Sequence, residues 1–249
     1  MVIFAQISDV HIGGSDESVE RTRQVMRHLR TLRLDAILVT GDIADHALRE
    51  EYAIADELLR GELLGGELLR GELPLAVCPG NHDSVPEFEK LLGPANQALR
   101  LDDVTIALAD SSVPGHDHGY LADETLAWLD EVLSERPGIP AFVGMHHPPI
   151  ELGIPYVDKI RLREPERLAD LLSRHPNVAA VLTGHAHTAV SARFAGLPLV
   201  VAPGVISTAL TSAETDAEFP ISYDLPPAYA LHIFDGEQLV THFRPVILK

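Results

Sequence analysis

The chain has 249 residues, with 37 Asp and Glu against 19 Lys and Arg and a formal net charge of −18. That length is ample for a substantial core, and the acidity disfavours a long nucleic acid as partner, because such binding rests on Lys and Arg patches. No apolar stretch reaches membrane-spanning length, and the single cysteine, Cys78, excludes an intramolecular disulfide.

In chain order, an apolar run over 2–7 reads as the first strand and leads into Asp9-Val10-His11. The run begins at Val2, so no basic and apolar leader is expected, and the expected compartment is cytoplasmic. Ser15 to Glu17 offers an acidic helix start, with Val19, Thr22, Met26, Leu29 and Leu32 near helical spacing. A second run, 36–40, ends at Gly41-Asp42, and a helix is expected over 47–59. A tandem repeat of period five follows at 61–73, in which Gly-Glu-Leu-Leu recurs. Five residues carry a helix about 140° past a full turn, and glycine at every fifth position weakens any helix. The repeat therefore reads as a duplicated surface loop, with packing of its leucines against another subunit as the sharper alternative.

A third run, 75–77, passes through Cys78, read as a small core hydrophobe, to Gly80-Asn81-His82-Asp83. Leu126, Leu129 and Leu133 line one face of a helix expected at 124–135, and the run 141–145 ends at His146-His147-Pro148-Pro149. A helix follows Pro165 through Leu168, Leu171 and Leu172, and the run 178–183 ends at Gly184-His185-Ala186-His187. Short strands are expected at 190–194, 197–201, 229–234 and 238–243, the last two joined by an Asp235-Gly236 turn. Alternating strands and helices followed by a β meander suggest a mixed sheet pair flanked by helices. No linker rich in Pro, Gly or Ser divides the chain, so 1–249 is expected to form a single domain.

Five short motifs thus each follow a strand, and in an open α/β sheet ligands gather outside the carboxyl ends of the strands. Their Asp, His and Asn side chains form a mixed oxygen and nitrogen donor set. Such a set suits Mn²⁺, Fe or Zn²⁺, whereas Ca²⁺ prefers oxygen alone and structural zinc prefers thiolates. In Asp9-Val10-His11 and His185-Ala186-His187 the one-residue gap points two side chains the same way if the backbone is extended.

On these motifs, and on Asp110-Ser111-Ser112-Val113-Pro114-Gly115, Asp117-His118-Gly119 and Leu126-Ala127-Trp128-Leu129, the chain resembles the calcineurin-like metallophosphoesterases, and among them the class III cyclic-nucleotide phosphodiesterases. The resemblance runs from Asp9 to the segment 227–245. It implies a four-layer α/β/β/α sandwich and two divalent or trivalent ions of manganese, iron or zinc. Asp9, His11, Asp42 and His187 would hold the first ion, and Asp42 would bridge to a second held by Asn81, His146 and His185. Two such ions acidify a shared water to hydroxide for in-line attack on phosphorus. His82 and Asn81 would contact the substrate, with His82 stabilising or protonating the leaving alkoxide. Asp83 is expected either to orient His82 by accepting its hydrogen bond or to serve the turn.

His147 is expected behind the ligands or in packing, His118 at the pocket border or in a loop, and segment 205–227 as a cap flanking the pocket. The remaining histidines, His28, His46, His116, His175, His232 and His242, carry no motif and are read as surface or core residues. The expected substrate is a small phosphodiester, foremost a 3′,5′- or 2′,3′-cyclic nucleotide; a glycerophosphodiesterase or a promiscuous small-diester hydrolase is the alternative. Phosphoprotein monoesters are disfavoured, because Asp45-His46-Ala47 stands where protein phosphatases of this superfamily carry Asp-Arg-Gly, and Asp83 where they carry Glu. A catalytically inactive binding scaffold is the alternative of another class, disfavoured because every ligand position holds a competent residue. No membrane partner is expected, and a homodimer rests on analogy alone.

Overall fold

The computed structural model describes residues 1–61 and 73–247, so the repeat, apart from Gly61 and Leu73, lies outside the described residues. The first nine strands are β1 (Val2–Ile7), β2 (Ala36–Thr40), β3 (Leu75–Cys78), β4 (Gln97–Arg100), β5 (Thr105–Ala109), β6 (Ala141–Met145), β7 (Val178–Thr183), β8 (Val190–Phe194) and β9 (Leu197–Val201). A two-residue pair, β10 (Thr208–Ala209) with β11 (Ile221–Ser222), precedes the closing hairpin of β12 (Ala228–Phe234) and β13 (Leu239–Pro245). One sheet runs β13-β12-β1-β2-β3 and the other β4-β5-β6-β7-β9-β8. The first is parallel over β1-β2-β3 and antiparallel at its β12-β13 side; the second is parallel over β5-β6-β7-β9 and antiparallel at both borders.

Alternation along each strand sorts side chains to two faces. Phe4, Ala36, Leu38, Ile106, Leu108, Phe142, Leu182 and Phe234 face the space between the sheets and form one core, with Phe142 in ring contact with Phe4 and Phe234 at 5.2 Å each. Their sequence neighbours face outward. Ala5, Ile7, Ile37 and Val39 pack beneath α1 (Ser18–Arg30), α2 (Arg49–Asp56) and α3 (Val85–Leu92). Ala107, Val143 and Val181 pack beneath α4 (Asp123–Glu135) and a later helix, Pro165–Ser173. This is the expected α/β/β/α sandwich.

Several elements differ from the sequence reading. The helix expected at 47–59 begins at Arg49, because Ala47 is left-handed (φ 57°) and Leu48 extended (ψ 142°), and it ends in a π turn at Glu57–Gly61. The edge pair β4-β5 and helix α3 were not anticipated; β5 is buried throughout, so its sequence lacks the polar alternation of a half-exposed strand. A short helix α5 (Pro155–Lys159), with proline in its first turn, also went unread and lies beside the functional cleft.

One buried polar network ties the sheets together under the strand ends. Gln6 Nε2 donates to Thr40 Oγ1 (3.0 Å) and to the Thr183 carbonyl (2.9 Å), joining the ends of β2 and β7. Its Oε1 accepts from His232 Nε2 (3.1 Å), and His232 Nδ1 accepts the Thr241 hydroxyl (2.9 Å). Every partner is matched when His232 is neutral.

Candidate metal centre

The five motifs converge past the carboxyl ends of β1, β2, β3, β6 and β7. Their backbone is not extended as the spacing argument assumed. Asp9 (φ 57°), His11 (41°), Asp42 (51°), His185 (67°) and His187 (52°) are all left-handed, a region that Asp and His enter more readily than most residues. Two glycines give the room these turns need. A Cβ on Gly41 (φ 92°) would lie 2.3 Å from His146 Nδ1, and one on Gly80 would lie 2.2 Å from Asp42 Oδ1.

The donors fall into two groups joined by one carboxylate. Ligand atoms of Asp9, His11, Asp42 and His187 lie within 4.8 Å of one another, with His11 Nε2 3.2 Å from His187 Nε2 and Asp9 Oδ1 3.5 Å from His187 Nε2. In the second group, His146 Nε2 is 3.1 Å from both Asn81 Oδ1 and His185 Nδ1. Asp42 Oδ2 lies between them, 3.4 Å from His11 Nε2 and 3.3 Å from His146 Nε2. His147 also falls near His146 and His185, but its Nδ1 pairs with Ser111 Oγ (2.8 Å) and its Nε2 with the Asp117 carbonyl (3.2 Å). It packs behind the donors.

Three of the four donor histidines are held from behind by a hydrogen bond at Nδ1, a support metal-binding imidazoles ordinarily have. His11 Nδ1 donates to Asp45 Oδ1 (2.7 Å), His146 Nδ1 to the Thr40 carbonyl (2.7 Å) and His187 Nδ1 to Ser207 Oγ (2.7 Å). Each turns its Nε2 toward the cluster. Asp9 Oδ2 and His185 Nε2 are buried without a hydrogen-bond partner among the described residues. Burial of an unpaired carboxylate oxygen is costly. A cation between these groups would satisfy Asp9 and the facing imidazole nitrogens together, so the donor set fits divalent metal ions.

Electrostatics divide the donors. Burial raises the Asp42 carboxyl, but His146 and His11 outweigh it and hold it well below the ordinary value. Burial lowers His146, yet Asp42 beside it wins and carries it up to about 9. Burial, reinforced by neighbouring imidazoles, drives His185 well down, and burial brings His187 to about 4 against the pull of Asp9. Both are therefore neutral, as ligation requires.

His82 stands apart. Its amide donates to Asp42 Oδ1 (2.9 Å), its Nδ1 donates to the Asp45 carbonyl (3.0 Å), and the side chain is 41% exposed at the cleft. Asp83 does not orient it. The Asp83 carboxylate accepts the amides of Ile43 (3.0 Å), Ala44 (3.0 Å) and Gly80 (2.8 Å), locking the second motif loop to the third. Burial, with Asp42 nearby, raises Asp83 to about 6. The orienting partner of His82 is Asp45, which also holds His11.

A family model, calcineurin-like phosphoesterase, matches residues 3–189. The chain belongs to that family. It is 30% identical to the glycerophosphodiester phosphodiesterase GpdQ of Enterobacter lignolyticus over 97% of this chain and 90% of that protein. It is 28% identical to the 3′,5′-cyclic-nucleotide phosphodiesterase alr5338 of Nostoc sp. over 94% and 89%. Among solved structures, a dimetal phosphatase from Danio rerio shares the fold with a TM-score of 0.72 over 99% of this chain and 96% of that one, at 16% identity. The resemblance read from the motifs, including its cyclic-nucleotide branch, is thereby supported.

In this phosphoesterase the donors open onto a cleft of about 390 Å³. Its lining includes His11, His185 and His187 with Asp42, Asn81 and His82, and a second set of Tyr156, Val157, Ile160, Ile206, Ile221 and Tyr223. Segment 205–227 thus supplies part of the lining, and Asp117 rather than His118 borders the cleft. No Lys or Arg is among the described residues that line it. Sequence reasoning missed Asp45 and Ser207 as supports; the spacing of Asp45, three residues past Asp42, was the one available signal. No helix among the described residues is long and apolar enough to cross a membrane.

Proposed function

We propose that this phosphoesterase hydrolyses small phosphodiesters, foremost 3′,5′- or 2′,3′-cyclic nucleotides, with two ions of manganese, iron or zinc. The carrying observation is the single Asp42 oxygen set between two imidazole groups, the placement a bridging ligand requires. Asp9, His11, Asp42 and His187 would hold one ion, and Asp42, Asn81, His146 and His185 the other. When bound, such a pair supplies Lewis acidity toward the phosphate and acidifies water near neutral pH.

The chain's own residues supply the rest. His82, with Nδ1 engaged by Asp45, presents Nε2 to the cleft, where it stabilises or protonates the departing alkoxide. Asn81 stands beside it to orient the phosphate. Asp83 keeps the two loops in register. The apolar lining of Ile206, Ile221 and the tyrosines suits the organic part of a diester, and the lack of a lining Arg among the described residues fits a diester carrying one negative charge better than a dianionic monoester. Similarity to GpdQ along nearly the whole chain favours a second reading, a glycerophosphodiester substrate.

The test is Mn²⁺-reconstituted hydrolysis of 3′,5′-cyclic AMP, glycerophosphoethanolamine, bis(p-nitrophenyl) phosphate and p-nitrophenyl phosphate, compared by kcat/KM. Diesters are expected to exceed the monoester and cyclic AMP to exceed glycerophosphoethanolamine. The reverse order within the diesters selects the second reading, and preference for the monoester refutes both.

A further inference from the structure

Arg21 lies on α1, away from the donors, yet it is only 4% exposed. Its guanidinium donates from Nε to the Val205 carbonyl (3.3 Å), from Nη1 to the Tyr223 carbonyl (2.9 Å) and from Nη2 to the Leu225 carbonyl. One planar fork therefore holds both ends of the excursion that carries β10 and β11. Its nearest carboxylate, Glu17 Oε2, is 3.7 Å away on a side chain that is 73% exposed. An ion pair that open is worth little, so the guanidinium is held by carbonyls.

The same excursion builds the cleft. At its start, the Val205 and Ile206 amides donate to the Ser8 and Asp9 carbonyls (3.0 and 3.2 Å), and Ser207 Oγ accepts from His187. At its end, Tyr223 lines the cleft while remaining 58% exposed, so little packing fixes it. Between them Ile221 lines the cleft, and Phe219 touches the Tyr156 ring at 5.2 Å. The start is anchored to the metal loops independently of Arg21; among the described residues, only Arg21 donates a hydrogen bond to the Tyr223 and Leu225 carbonyls.

We propose that Arg21 is a positioning residue that sets the substrate-facing wall of the cleft, and through Tyr223 and Ile221 governs binding of the organic part of the diester. The proposal rests on the phosphodiesterase reading. Lysine cannot replace the arrangement, because its single ammonium lacks the planar fork that reaches three carbonyls at once.

The test uses the full-length Mn²⁺-reconstituted protein with Arg21→Met, Arg21→Lys and Glu17→Gln. Amide hydrogen exchange, metal content, and kcat and KM for cyclic AMP and for methyl p-nitrophenyl phosphate are measured. Both Arg21 variants are expected to exchange faster across 219–225, to keep wild-type metal content, and to raise KM for cyclic AMP about tenfold with kcat within about threefold. The small methyl diester is expected to change less, and Glu17→Gln to match wild type. If Arg21→Met does not fold, Arg21→Lys carries the test. Wild-type exchange across 219–225, a loss of kcat at unchanged KM, or the same effect from Glu17→Gln overturns the proposal. Should the wild-type protein cleave no diester, the functional reading fails, and the exchange measurement alone then upholds or overturns the Arg21 clamp.

Discussion

Asp45→Ala tests the claim that the Asp45 carboxylate supports the first metal group through His11. Asp45 Oδ1 receives the His11 Nδ1 proton at 2.7 Å, and the Asp45 carbonyl receives His82 Nδ1 at 3.0 Å with Oδ1 3.6 Å away. The hydrogen bond with His11 is also the largest influence holding the Asp45 carboxyl below its ordinary value. A hydrogen bond to a charged group contributes about 1.5–3 kcal/mol, and every 1.4 kcal/mol is about tenfold. Removing the carboxylate is therefore expected to weaken Mn²⁺ binding by about 10- to 100-fold, the range typical for groups that orient metal ligands. Asp45→Asn, which keeps an acceptor without the charge, should fall between. Calorimetric Mn²⁺ titration of the chelated protein reads the affinity. Wild-type affinity in Asp45→Ala would refute the reasoning, since His11 would then need no support.

His82→Ala is expected to lower kcat by about 10² to 10⁴, the usual weight of a general acid, while metal content stays at the wild-type level; loss of metal would make His82 a ligand instead. His232 gives a pH prediction remote from the donors: burial takes it from 6.5 to about 3, so between those values the unfolded chain binds the extra proton. Its contribution is intact above pH 6.5 and is lost as pH falls toward 3, up to an amount on the order of 5 kcal/mol. Urea unfolding of wild type and His232→Gln from pH 7.5 to 4.5 should show a shallower acid decline in the variant, and equal slopes would refute the assignment.

The donors were legible because metal chemistry restricts residue type, so Asp9, His11, Asp42, Asn81, His146, His185 and His187 each stood out just past an apolar run. Their supports were less legible for specific reasons. Thr40 acts on His146 through a backbone carbonyl, which any residue offers. Ser207 is 20 residues from His187 and meets it only because β9 returns beside β7. Asp83 misled for the opposite reason. Its place after His82 suggested a partner in sequence, whereas its oxygens take amides from the neighbouring motif loop. The sandwich followed from strand and helix alternation, but β4 and α3, of four and eight residues, were too short for periodicity to show.

The backbone at the donors shows how the centre is held. Five left-handed non-glycine residues at about 1–2 kcal/mol each amount to strain comparable with the whole net stability of a domain. Glycine would relieve it at each position, but glycine cannot ligate. Asp and His are retained where the turn and the donor are both needed. The compensation is visible between loops: the Asp9 amide donates to the Gly41 carbonyl (3.1 Å), His11 to Asp42 (3.0 Å), Ile12 to Ile43 (2.9 Å) and Gly184 to His146 (2.9 Å). These bonds run from motif to motif and use no donor side chain. Gln6 adds a tie beneath them, from the end of β2 to the end of β7, the strands that lead to Asp42 and His185. The two donor groups, one largely from each sheet, are therefore set at their separation by the sandwich itself, and Asp42 can face both because the sheets beneath it are pinned together.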